Sequence, residues 1–132
     1  MRLIISRKQD LSVAQIDVLN ELIGHSVTIE GSCGPIVAWN TYQDFLYAFS
    51  LADTKIPIGI VEASGRPVCS PGWWIAPKYR GLKYGNDLVD ALGPYLLQDR
   101  VSSIGPVSIQ TPNHKYDDQS SKLVIRLRSY FP

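Results

Sequence analysis

A chain of 132 residues is long enough to bury one sizeable core and too short for two, so residues 1–132 read as a single domain. Its 45% hydrophobic and 19% charged content excludes a disordered or fibrous chain. Thirteen basic and twelve acidic side chains leave a formal charge of +1, so no global field draws the protein to nucleic acid or an anionic membrane.

The opening apolar run at residues 2–6, "RLIIS", is too short for a signal peptide and reads as a first strand. No later stretch reaches the length of a bilayer span. Two cysteines, Cys33 and Cys69, stand far apart, and His25 and His114 are not near them in sequence. Neither a zinc site nor a disulfide framework is expected, and the thiols suit a reduced, cytoplasmic setting.

Residues 11–24, "LSVAQIDVLNELIG", form a well-marked helix. Ser12 can cap it, Gln15 can return the bond as a capping box, and Leu11 with Ile16 makes a hydrophobic staple. Ile16, Leu19, Leu22 and Ile23 share one face, and Gly24 is the expected stop. Residues 25–44 mix a brief alternation with Gly31, Gly34 and Pro35, which predicts mostly loop with short pieces of structure. Two apolar runs, 45–51 and 57–63, flank the polar turn Asp53-Thr54-Lys55 and predict a hairpin. Gly65-Arg66-Pro67 makes another turn, and residues 73–76 give a third strand of the group, with a bend or bulge at Pro71-Gly72.

A basic glycine loop follows, then Leu88, Ala91, Leu92, Tyr95 and Leu96 at helical spacing, with Pro94 expected to kink the last turn. Residues 106–110, "PVSIQ", read as a strand parallel to the one at 73–76 if the helix crosses over between them. The C-terminal stretch admits two readings. Leu123, Val124 and Leu127 fit a helical stripe, whereas Leu123, Ile125, Leu127 and Phe131 fit strand alternation. Acids at its start and arginines near its end favour the helix.

The joint "WWIAPKYRGLKYGNDLVDAL", residues 73–92, carries the chemistry. Basic clusters (Lys78, Arg80, Lys83 here; Lys122, Arg126, Arg128 later) are often no more than solvated faces. A helix N-terminus, however, offers unpaired N–H groups with partial positive charge, and glycines let the backbone approach an anion. The amides of Gly81, Leu82, Lys83, Tyr84 and Gly85 would form the cradle, with Arg80 adding charge.

In element order and in this loop, residues 45–97 resemble the GCN5-related N-acetyltransferases. "IPIGIVEAS" is similar to that family's third strand, and "WWIAPKYRGLKYGNDLVDAL" to its fourth strand, cofactor loop and third helix. The family loop runs Arg or Gln, two residues, Gly, one residue, Gly or Ala. Arg80 and Gly85 match its outer positions, and Lys83 stands where the inner glycine belongs. The resemblance implies an α+β fold: a mixed, mostly antiparallel sheet flanked by helices, with a β-α-β cofactor unit. It implies acetyl-CoA as co-substrate, its pantetheine arm meeting the backbone of Ile75, with Trp74 beside it among the candidate cofactor residues. Trp73 and Trp74 must point to opposite faces of their strand, one into the core and one towards a cleft. A right-handed backbone at Lys83 would keep its Cβ out of the way of the phosphates.

Family chemistry is attack of a primary amine, on a small molecule or a protein, upon the acetyl thioester. An alkyl amine with pKa about 10.4 must lose a proton, and Glu62, one strand away, is the candidate base. An exposed strand carboxylate is the plainer account of it. The family's acid tyrosine has no counterpart in register: Arg126 occupies that position, and Tyr130 is the nearest candidate, with Tyr116 a further one. The sequence stops at Pro132 before two strands usual in the family, so the resemblance implies that the C-terminal segment is itself a strand, that the domain is abbreviated, or that a second subunit, as in a homodimer, completes the sheet. A non-catalytic binding or regulatory member of the fold is the alternative to an enzyme.

Overall fold

The computed structural model describes residues 2–41, 45–63, 71–104 and 118–130. The chain runs β1 (Leu3–Arg7), α1 (Val13–Glu30), α2 (Gly34–Thr41), β2 (Leu46–Leu51), β3 (Pro57–Glu62), β4 (Gly72–Ile75), α3 (Tyr84–Ile104) and α4 (Asp118–Arg128), with short 3-10 turns at Lys8–Asp10 and Pro77–Tyr79. Among the described residues the strands form one sheet in the order β1-β2-β3-β4, every pair antiparallel. The fold is therefore α+β. The expected strand at 106–110, its parallel pairing and the turn at 65–67 lie outside the described residues.

Period-two alternation sends side chains to both faces of this sheet. On one face Leu3, Tyr47, Phe49, Val61 and Ile58 meet Leu88, Leu92 and Leu96 of α3 and Val124 and Leu127 of α4. On the other, Ala48, Ile60 and Trp74 meet Leu19 and Ile23 of α1 and Ile36 and Trp39 of α2. Complete burial of a side chain such as Leu19 stabilises by about 1.5–3 kcal/mol.

The capping box at α1 forms as expected: Gln15 N donates to Ser12 Oγ at 3.1 Å, and Ser12 N donates to Gln15 Oε1 at 2.9 Å. Gln15 also donates from Nε2 to the Lys55 carbonyl, fastening the helix start to the β2–β3 turn. The helix does not stop at Gly24. It continues to Glu30 and ends at Gly31, whose φ is 80°. One interior glycine costs roughly 1 kcal/mol, and the extra turns bury Ser26 against the sheet. Residues 34–41, in a stretch expected to be mostly loop with short pieces of structure, form the helix α2, opened by Gly34-Pro35, where proline's fixed φ suits a first turn.

The helix α3 carries through Pro94, which sits on its exposed side. The C-terminal ambiguity resolves as helix, since Val124 and Leu127 are buried while Ile125 is 58% exposed.

Candidate functional site

The β4 strand ends at Ile75, the 3-10 turn Pro77–Tyr79 reverses direction, and residues 80–83 lead into α3. Tyr79 packs beneath this joint against both cores. Gly81 has φ 77° and Lys83 has φ 62°. The backbone at Lys83 is thus left-handed, not right-handed as expected, and Lys83 holds a glycine-like conformation with a side chain attached. Left-handed residues alternating with ordinary ones turn successive N–H groups to the same side, which makes a small concave anion site. The amides of Gly81, Leu82 and Lys83 have no hydrogen-bond acceptor among the described residues. The three residues are exposed and stand directly before the 21-residue helix α3.

Two arginines shape this loop. Arg80 is folded backwards: Nε donates to the Ile75 carbonyl at 2.9 Å, and NH1 binds Glu30 Oε1 at the end of α1. Glu30 is itself held, because Ser26 Oγ donates to its Oε2 at 3.1 Å. Ser26, 1% exposed, in turn accepts from Trp74 Nε1 at 3.3 Å. The Arg80 guanidinium keeps the Glu30 carboxyl below the usual carboxylate range. From the other side Arg2 stacks over the Tyr84 ring, donates to the Leu82 carbonyl and pairs with Asp87 at 2.9 Å. Arg2 also borders an open cavity of about 450 Å³ with Asp53 and Tyr84.

Of the residues expected at the site, Arg80 to Gly85 are contiguous at the joint, although not all of them face a ligand. Gly85 is the second residue of α3, and a Cβ there would lie 3.2 Å from Leu123 of α4, so its smallness admits the helix packed over it. Trp74 is 5% exposed and fills the core under α1 and α2, while Trp73 is half-buried on the α3 side. Only the Trp74 backbone can meet a ligand.

Glu62 and Tyr130 are not brought together. Glu62 ends β3 opposite Gly72, on the α1–α2 face, beside Pro35. Tyr130 belongs to the opposite face, its ring over Gly93 and its hydroxyl donating to Asp90 Oδ1 at 2.8 Å. That bond to a carboxylate raises the phenol's pKa and makes it a poorer proton donor. Arg126 grips the same Asp90 through two bonds, at 2.8 and 2.7 Å, and draws its pKa down. Arg126 is therefore a clamp between α4 and α3.

Sequence reasoning missed Glu30, Ser26 and Arg2, each 48 to 85 residues from its partner. The one local signal was the spacing of Ser26 and Glu30 by four, which is one helical turn. No three His, Cys, Asp or Glu side chains among the described residues are grouped to hold a metal. No helix among them is long and apolar enough to cross a membrane. No family model matches the chain, and no curated protein matches it.

Proposed function

We propose that this chain is an acetyl-CoA-dependent N-acyltransferase of the GCN5-related kind. What carries the reading is the joint after β4. Three amides without a protein acceptor among the described residues, at Gly81, Leu82 and Lys83, two of them on left-handed residues, stand at the positive end of a long helix. This arrangement fits a pyrophosphate, and β4 next to it offers a strand backbone along which an extended arm can lie. In this reading Lys83, exposed and with no charged partner among the described residues, supplements the cradle.

The amine nitrogen attacks the thioester carbonyl, the new C–N bond replaces the C–S bond, and coenzyme A leaves as thiolate. The amine's proton goes to a base, directly or through water, and the thiolate takes up a proton as thiol. Ile75 pairs with Gly59 and Glu62 pairs with Gly72, so Glu62 lies three residues along β3 from the loop end. At about 3.4 Å per residue that is roughly 10 Å, towards the far end of an arm anchored at the loop. Glu62 is the base in this reading.

Acetyl-CoA at about a hundred times its dissociation constant should stabilise the fold by roughly 2.7 kcal/mol, on the order of ten degrees in melting temperature. Turnover on a panel of primary amines, and its loss in Glu62→Gln, would complete the case. No shift at millimolar cofactor would remove the reading altogether.

A second reading has its own support. Arg80 covers the Ile75 carbonyl, and the two candidate proton-transfer residues lie on opposite faces. A coenzyme A-binding module without catalysis would show the thermal shift and no turnover on any amine.

A further inference from the structure

The direction in which Arg80 points carries a consequence for how a ligand enters. Its guanidinium rests on two acceptors, the Glu30 carboxylate and the Ile75 carbonyl. Glu30 is no loose surface acid. Ser26, almost wholly buried, fixes its second oxygen, and Trp74 fixes Ser26. The Arg80 and Glu30 side chains remain 42% and 39% exposed, so an incoming anion can reach both.

We propose that Glu30 is an affinity-determining residue, an internal anion that competes with the ligand's phosphate for Arg80. The proposal rests on the loop being a phosphate site. Nε and NH1 belong to one planar group and move together. A phosphate on the loop that draws Arg80 from Glu30 therefore also uncovers the Ile75 carbonyl. One side-chain rotation adds a cation to the phosphate end and releases a backbone acceptor for the arm. Inorganic pyrophosphate gains only the first of these, whereas coenzyme A gains both.

Calorimetric titration of coenzyme A and of pyrophosphate into wild type, Glu30→Gln, Glu30→Ala, Arg80→Gln and the Glu30→Gln/Arg80→Gln pair tests this. Glutamine at position 30 can still accept from Ser26, and its loss of charge should tighten coenzyme A about two- to fivefold, the range of an exposed ion pair. Alanine should act in the same direction. Arg80→Gln should weaken binding and abolish the effect of Glu30→Gln. Equal affinity in wild type and both Glu30 variants would overturn the competition and leave the loop reading intact. Binding by none of the proteins, wild type included, would overturn the loop reading and this proposal with it.

Discussion

Glycine and alanine at position 83 should differ in a direction that reports the handedness of the loop. With φ at 62°, any L-residue at this position costs about 1–2 kcal/mol relative to its relaxed conformation, and lysine and alanine carry that cost alike. Glycine relieves it, but the unfolded chain gains freedom worth about 0.4–1 kcal/mol. Lys83→Gly should therefore be more stable than Lys83→Ala by about 0.5–1 kcal/mol. Lys83→Ala itself should stay near wild type, because the lysine is exposed and makes no ion pair among the described residues. In a right-handed backbone the order would reverse, with glycine worse than alanine by about 0.5–1 kcal/mol. The two geometries are thus separated by about 1–2 kcal/mol, roughly 3–10 °C for a domain of this size. Paired urea and thermal unfolding of the two variants resolves such a gap. Alanine more stable than glycine would refute the left-handed loop, and with it the concave arrangement of amides.

Gly59→Ala should destabilise by at least about 2–3 kcal/mol, because its Cβ would fall 2.2 Å from the Phe49 ring and 2.3 Å from the Trp74 carbonyl. Chemical denaturation should show this, and a loss under 1 kcal/mol would mean that β2 and β4 can part around it. Asp90→Asn should cost stability at neutral pH and little at low pH. The folded pKa of Asp90 is depressed by Arg126, so its contribution is complete above the unfolded value of about 3.9 and disappears as pH falls through the folded one. The gap between the melting temperatures of wild type and variant should begin to close only below about pH 4 and shrink further as pH falls. A gap constant down to pH 2 would separate the effect from the carboxylate's charge.

The elements most legible in the sequence were those whose signals are local. The Ser12–Gln15 box spans three residues, and the β2–β3 turn is written in Asp53-Thr54-Lys55, so both were readable without knowing the fold. Gly24 misled because a helix-terminating residue was weighed without the burial of Ser26 that outbids it. The α2 helix is hidden for a similar reason: in sequence Pro35 reads as a breaker, although at a second helical position it is a starter. At the candidate site the loop itself was legible, since glycines and basic residues between strand and helix suffice to mark it. The handedness at Lys83 was not, because lysine carries no preference for φ above zero. Nor was Glu30, whose meeting with Arg80 depends on α1 reaching its full length.

The seating of α4 ties the far end of the chain to the loop. Leu123 rests on Gly85 and Tyr130 rests on Gly93, so protruding side chains enter notches spaced almost equally on the facing helix. Such a fit indexes α4 along α3: a slide of one residue would drive Leu123 against a side chain instead of a gap. Because the first notch is at the second residue of α3, the C-terminal helix and the glycine loop before α3 are coupled through one packing contact. Whatever lifts that helix also removes the contact that seats the first turn of α3.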